Sequence, residues 1–165
     1  MRRAVVLLIA LPTLGAAFAV AAPLVETASY MTPSGVSSLI GEHARWNDMC
    51  RAFDAPPVTL ERAAIHGSIC VRHDLIAPVQ SRSGRAVNCI GRRLNGVLII
   101  YRPQPNFVGT DSVRYGLDFP EGRVSREISI DIQQSTGATP DFFLGIPATA
   151  ARAGDRVPEC AGESS

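Results

Sequence analysis

From residue 54 onward, short runs in which apolar and polar residues alternate are separated by proline, glycine and asparagine. Alternation with a period of two turns one side of each run to a core and the other to water, so these runs predict β-strands. After Pro56 and Pro57, Val58-Thr59-Leu60-Glu61 alternates, and beyond Gly67 the run Ser68-Ile69-Cys70-Val71-Arg72 sets Ile69 and Val71 on one face. Val97-Leu98-Ile99-Ile100-Tyr101 is apolar throughout, the pattern of a central strand covered on both faces. Val113, Tyr115 and Leu117 alternate with Arg114 and Gly116, and Ile128, Ile130 and Ile132 with Ser129 and Asp131. The stretch 118–123 between these last two is short enough for a hairpin. Residues 73–96 hold Pro78, Gly84, Gly91 and Gly96 and predict a long connection with an exposed middle, QSRSGR.

Outside this block the patterning weakens. Pro23, Pro33 and Gly35 interrupt residues 22–53, where Val36, Leu39 and Ile40 at helical spacing predict a short helix over 36–45 in an otherwise irregular extension. Trp46 is expected to cover one end of the core. Residues 134–165 are mostly small and polar and read as a tail. Its apolar cluster of Phe142, Phe143, Leu144 and Ile146 is expected to pack on the domain.

The first 21 residues have a different logic. Arg2 and Arg3 precede an apolar run from Ala4, and Ala19-Val20-Ala21 ends it with small residues, which is the pattern of a secretory signal peptide cleaved after Ala21. The expected location is periplasmic or secreted, with no membrane attachment after cleavage. The chain divides into a signal peptide (1–21), an N-terminal extension (22–53), a β-domain (54–133) and a C-terminal tail (134–165).

Composition changes the picture in two places. The 165-residue chain balances 16 arginines, with no lysine, against 15 carboxylates for a net charge of +1. That leaves no field for a nucleic-acid backbone and no lysine for Schiff-base chemistry. The four cysteines, Cys50, Cys70, Cys89 and Cys160, are an even set in an exported chain and predict two disulfides. No pair has the spacing of a zinc site, so no metal is expected. Four cysteines allow three pairings. End-of-strand positions favour Cys50 with Cys89, which leaves Cys70 for Cys160, while Cys70 with Cys89 would make a shorter bridge between neighbouring strands that the sequence accommodates equally well.

One segment, Tyr101 to Tyr115, is more specific than alternation. YRPQPNFVGTDSVRY resembles the Y-x-P-x-x-x-F-x-G-x-D-x-[FV]-x-Y signature of bacterial cadherin-like or immunoglobulin-like sandwich domains of exported proteins, with Tyr101, Pro103, Phe107, Gly109, Asp111, Val113 and Tyr115 in register. Ile65-His66-Gly67-Ser68-Ile69 resembles the strand entry of those domains, and Ile128 to Ile132 their final strand. The resemblance covers about residues 56–133 and implies a single all-β immunoglobulin-like sandwich with irregular extensions. Each residue type has a structural reason: Pro103 and Pro105 cannot donate ladder bonds, Phe107 can plug the core end, Gly109 permits an unusual backbone, and Asp111 can accept from turn amides.

The motif is not a catalytic one. Asp111, Asp118, Glu121, Asp131 and Asp141 form no dense calcium loop, and the intermodule calcium of cadherin-like arrays is not carried over to a single domain. No nucleophile elbow, zinc-binding helix or phosphate loop occurs, and His43, His66 and His73 are scattered. The expectation is a noncatalytic module without cofactor, binding an envelope or extracellular protein or glycan through its loops or a strand edge. The alternative is a small enzyme or inhibitor with its active residues in 73–96.

Overall fold

The computed structural model describes residues 24–81, 87–120, 122–135 and 151–161. The expected signal peptide, Glu121, the middle of the QSRSGR loop and the cluster Phe142–Ile146 lie outside the described residues.

Seven strands follow in chain order: β1 (Leu24–Pro33), β2 (Ser38–Ala44), β3 (Val58–Arg62), β4 (Gly67–Ile76), β5 (Leu94–Pro103), β6 (Gly109–Phe119) and β7 (Gly122–Gln133). They form a four-stranded sheet of order β1-β7-β6-β3 and a three-stranded sheet of order β2-β5-β4. All neighbours are antiparallel except β1 and β7, which run parallel from Leu24 opposite Val124 to Pro33 opposite Gln133. The fold is all-β in two sheets. The alternating residues meet between them: Val58, Leu60, Val113, Tyr115, Leu117, Ile128, Ile130 and Ile132 from one sheet and Ile40, Ile69, Val71, Val97, Ile99 and Tyr101 from the other make one buried cluster. β5 buries positions on its opposite face as well, Leu94 and Leu98, which is why its middle, Val97–Tyr101, is apolar throughout.

Three expectations are corrected. Residues 22–53 are not an irregular extension, because they supply β1 and β2. The helix expected over 36–45 is replaced by β2: of the three apolar residues at helical spacing, Val36 precedes the strand, Leu39 is exposed and only Ile40 enters the core. A register shift between Leu39 and Gly41 buries the adjacent residues Ile40 and Gly41, so the strand lacks a clean period of two. The connection 73–96 is shorter than expected, because β4 runs on through His73 and Asp74 to Ile76 and β5 begins at Leu94. β6 and β7 meet in a tight hairpin, with Phe119 opposite Gly122.

Both disulfides form, Cys50–Cys89 and Cys70–Cys160, with Cα separations of 5.2 and 4.9 Å. The second fixes a strap. Residues 151–161 leave the edge of β3 and cross to the edge of β4, so one segment closes a side of both sheets. Leu60 donates its N–H to the Asp155 carbonyl (2.9 Å), Gly154 to Leu60 (2.7 Å), Val157 to Val58 (3.0 Å), Val71 to Pro158 (2.9 Å) and Cys160 to Val71 (2.8 Å). Val157 enters the shared core between these bonds. The strap therefore satisfies edge amides that would otherwise be open to another strand.

Candidate functional site

The signature residues gather at one corner. Tyr101, near the end of β5, donates its hydroxyl proton to Asp111 Oδ2 at 2.8 Å, and the same carboxylate accepts the N–H groups of Ile65 (3.0 Å), His66 (2.9 Å) and Ser112 (2.8 Å). Burial alone would raise the Asp111 carboxyl, but these donors outweigh it and hold the group below the ordinary carboxylate value. Burial and the Asp111 carboxylate push the Tyr101 phenol far upward. Pro103 ends β5 opposite Gly67, Gln104 donates to the His66 carbonyl (2.8 Å), and Asn106 adopts a φ of 64° that turns the chain back. Gly109, which opens β6, has a φ of 139°.

Phe107, expected to plug the core end, packs against the core cluster. It is half-buried and stacks flat on the His66 imidazole, with centroids 3.8 Å apart and planes inclined by 10°. The turn at Asn106 carries the ring over the end of the core and not into it. The Asp111 carboxylate and the Tyr101 hydroxyl are thus engaged in holding strand ends together.

Tyr115, the other signature tyrosine, belongs to a second internal chain of contacts. Its hydroxyl lies 3.1 Å from His43 Nε2 and takes a hydrogen bond from Arg126, whose guanidinium also pairs with Glu26. Burial pushes the Tyr115 phenol well above its usual value, and Arg126 only partly opposes that. His43, His66 and His73 are thus far apart in role: His43 on Tyr115, His66 under Phe107, and His73 3.2 Å from Glu159. Among the described residues no three His, Cys, Asp or Glu side chains gather as a metal site.

The arrangement best suited to meet another molecule lies elsewhere, on the loops joined by Cys50–Cys89. Cys89 is fully buried, and its loop is tied down where Gly91 donates to the Pro78 carbonyl (2.9 Å). The facing loop is folded on itself: Asn47 Oδ1 accepts the N–H groups of Met49 (3.0 Å) and Arg51 (2.9 Å), and Trp46 bridges to Ala52. Trp46 is half-buried in this loop and is not part of the shared core. On these rigid loops and the adjoining end of β4, large apolar side chains face water: Met49 is 82% exposed and Val79 83%, with Phe53, Leu75 and Ile90 also exposed. Arg45 lies over the Phe53 ring at 5.7 Å. Beside them is an open depression of about 480 Å³ lined by Asp54, Ala55, His73, Asp74, Leu75, Asn95 and Gly96.

Sequence reasoning identified the cysteines and the corner but not this surface. The available signal was the position of Met49 next to Cys50 and Ile90 next to Cys89, apolar residues placed where loops are otherwise polar.

No protein-family model matches the chain, and no curated protein matches it. Among solved structures, the solution structure of Amebosin is similar over 68% of this chain and 99% of that one, with 10% identity and a TM-score of 0.36, too slight a likeness to assign a family or a function.

Proposed function

We propose that the chain is an exported, noncatalytic β-sandwich module of the immunoglobulin-like, cadherin-like type, which binds an envelope or extracellular protein through its disulfide-pinned loops. The observation that carries the binding role is the exposure of Met49, Phe53, Leu75, Val79 and Ile90 on and beside loops locked by Cys50–Cys89. Apolar side chains held rigidly in water lose little conformational freedom on docking and gain by burial, which favours a protein partner over a glycan. Strand order supports the architectural reading. With strands lettered in chain order, β2-β5-β4 corresponds to B-E-D and β7-β6-β3 to G-F-C, while β1 joins the last strand and not the second. The two disulfides fit an oxidising compartment, periplasmic or extracellular.

The test is capture from envelope extract by the oxidised mature protein, compared with Met49→Glu/Phe53→Glu. The expected result is a captured protein that the double variant loses at an unchanged unfolding midpoint; equal capture by both would remove the loop surface from the reading. A second reading, a small enzyme or inhibitor, is favoured by the depression that brings His73, Asp74 and Asn95 beside Asp54. Hydrolytic activity that copurifies with the protein and disappears in His73→Ala would establish it.

A further inference from the structure

The fold guards its strand edges unequally. The strap covers β3 and β4, and β2 is short, bulged between Leu39 and Gly41, and exposes Glu42. β1 is ten residues long, has an unbroken register with β7 and pairs with no other strand among the described residues.

Its free edge can be read residue by residue. Ser34, just past β1, donates its N–H to the Gln133 carbonyl at 2.8 Å. Main-chain groups alternate sides along a strand, so Glu26, Ala28, Tyr30 and Thr32 bond towards β7 while Val25, Thr27, Ser29 and Met31 direct N–H and C=O to the free edge. The side chains of this second set point out of the domain, all four exposed and none charged. Only Pro33, at the end, lacks an N–H to offer. Long, regular, uncharged edges are templates for another strand.

We propose that β1 is a homotypic docking strand, through which two copies of this chain pair antiparallel about a twofold axis at Ala28 and join their four-stranded sheets into one. In that register Val25 lies opposite Met31 of the second copy and Thr27 opposite Ser29 of the second copy, so each of these residues exchanges both main-chain bonds. Apolar side chain meets apolar side chain and hydroxyl meets hydroxyl, the pairings that stabilise antiparallel neighbours. Neighbouring registers are poorer. An axis at Thr27 runs Met31 past the end of β1, one at Ser29 sets Val25 against Pro33, and one at Glu26 opposes two carboxylates. This pairing uses neither the loops nor the depression and stands independently of the proposed partner protein.

Sedimentation of the oxidised mature protein over a range of concentrations tests it. The expected result is a reversible dimer. Thr27→Pro removes an N–H that β7 does not use, so it should abolish the dimer while the unfolding midpoint is kept. Thr27→Lys/Ser29→Lys, which faces lysine with lysine across the axis without touching the main chain, should weaken association by more than about tenfold. Ala28→Cys should form a covalent dimer on oxidation, and Val25→Cys should not. A protein that stays monomeric at millimolar concentration overturns the proposal, as does a dimer that both edge variants leave intact or one crosslinked equally through positions 25 and 28. Loss of a captured foreign protein in Thr27→Pro, with no self-association in the parent, would assign the edge to a foreign strand instead.

Discussion

Both signature tyrosines lie across a glycine of a strand in the three-stranded sheet: a Cβ at Gly67 would overlap the Tyr101 ring, and one at Gly41 would overlap the Tyr115 hydroxyl. Neither glycine is needed for an unusual backbone; each is needed for space. Gly67→Ala should therefore cost about 2–3 kcal/mol by forcing Tyr101 off Asp111, measured by equilibrium denaturation. Asp111 adds a pH signature. Its carboxyl is held low in the folded chain and returns to about 3.8 on unfolding, so below that value the unfolded chain takes up the proton first. Stability should fall as pH drops through the folded value, and Asp111→Asn, about 1–2 kcal/mol less stable near neutrality, should show a flatter acid limb. Phe107→Ala should cost about 2 kcal/mol, less than the 3–5 of a fully buried phenylalanine, because its ring caps the core from outside. At this scale Tyr101, Asp111 and Tyr115 were legible through the signature that the segment 101–115 resembles. Gly67 was not, since its reason for being glycine lies 34 positions along the chain in Tyr101.

Strands were legible where a run of clean alternation survives in the sequence. β6, β7 and the run Val58–Leu60 of β3 follow their alternating pattern, whereas β2 buries the adjacent Ile40 and Gly41 at its bulge and exposes the apolar Leu39, so its period of two is lost. β1 was hidden for a different reason. Its inward residues, Glu26, Ala28, Tyr30 and Thr32, are small or polar, since it covers only the margin of the core and carries Glu26 to Arg126. The strap was half legible: Cys160 marked it, but bonds to the edges of β3 and β4 leave no pattern in a segment rich in small residues. Cys160→Ser is expected to cost up to about 4–5 kcal/mol in the chain-entropy account of a 90-residue loop. A sharper reading comes from hydrogen exchange. The Leu60 and Val71 amides, which donate to Asp155 and Pro158, should lose protection in Cys160→Ser while the central β5 amides keep theirs.

For the molecule as a whole, the even set of cysteines told of a stapled domain, and the structure adds that β1 belongs to it. Mass spectrometry of the secreted form should give a mature chain starting at Ala22, two residues before β1; a start inside β1 would remove the strand that partners β7. The Cys70–Cys160 bond also decides how the domain behaves under mechanical load. Tension applied between Leu24 and Cys160 leaves the main chain at Cys160 and re-enters it at Cys70, so the chain between Cys89 and Cys160 bears none of it. In single-molecule pulling, the reduced protein should lengthen by roughly 300 Å more than the oxidised one, at about 3.3–3.6 Å per residue released. With both bridges intact, only the segment from Leu24 to Cys89 can be drawn upon, while the central strand β5 and the β6–β7 hairpin stay outside the loaded path.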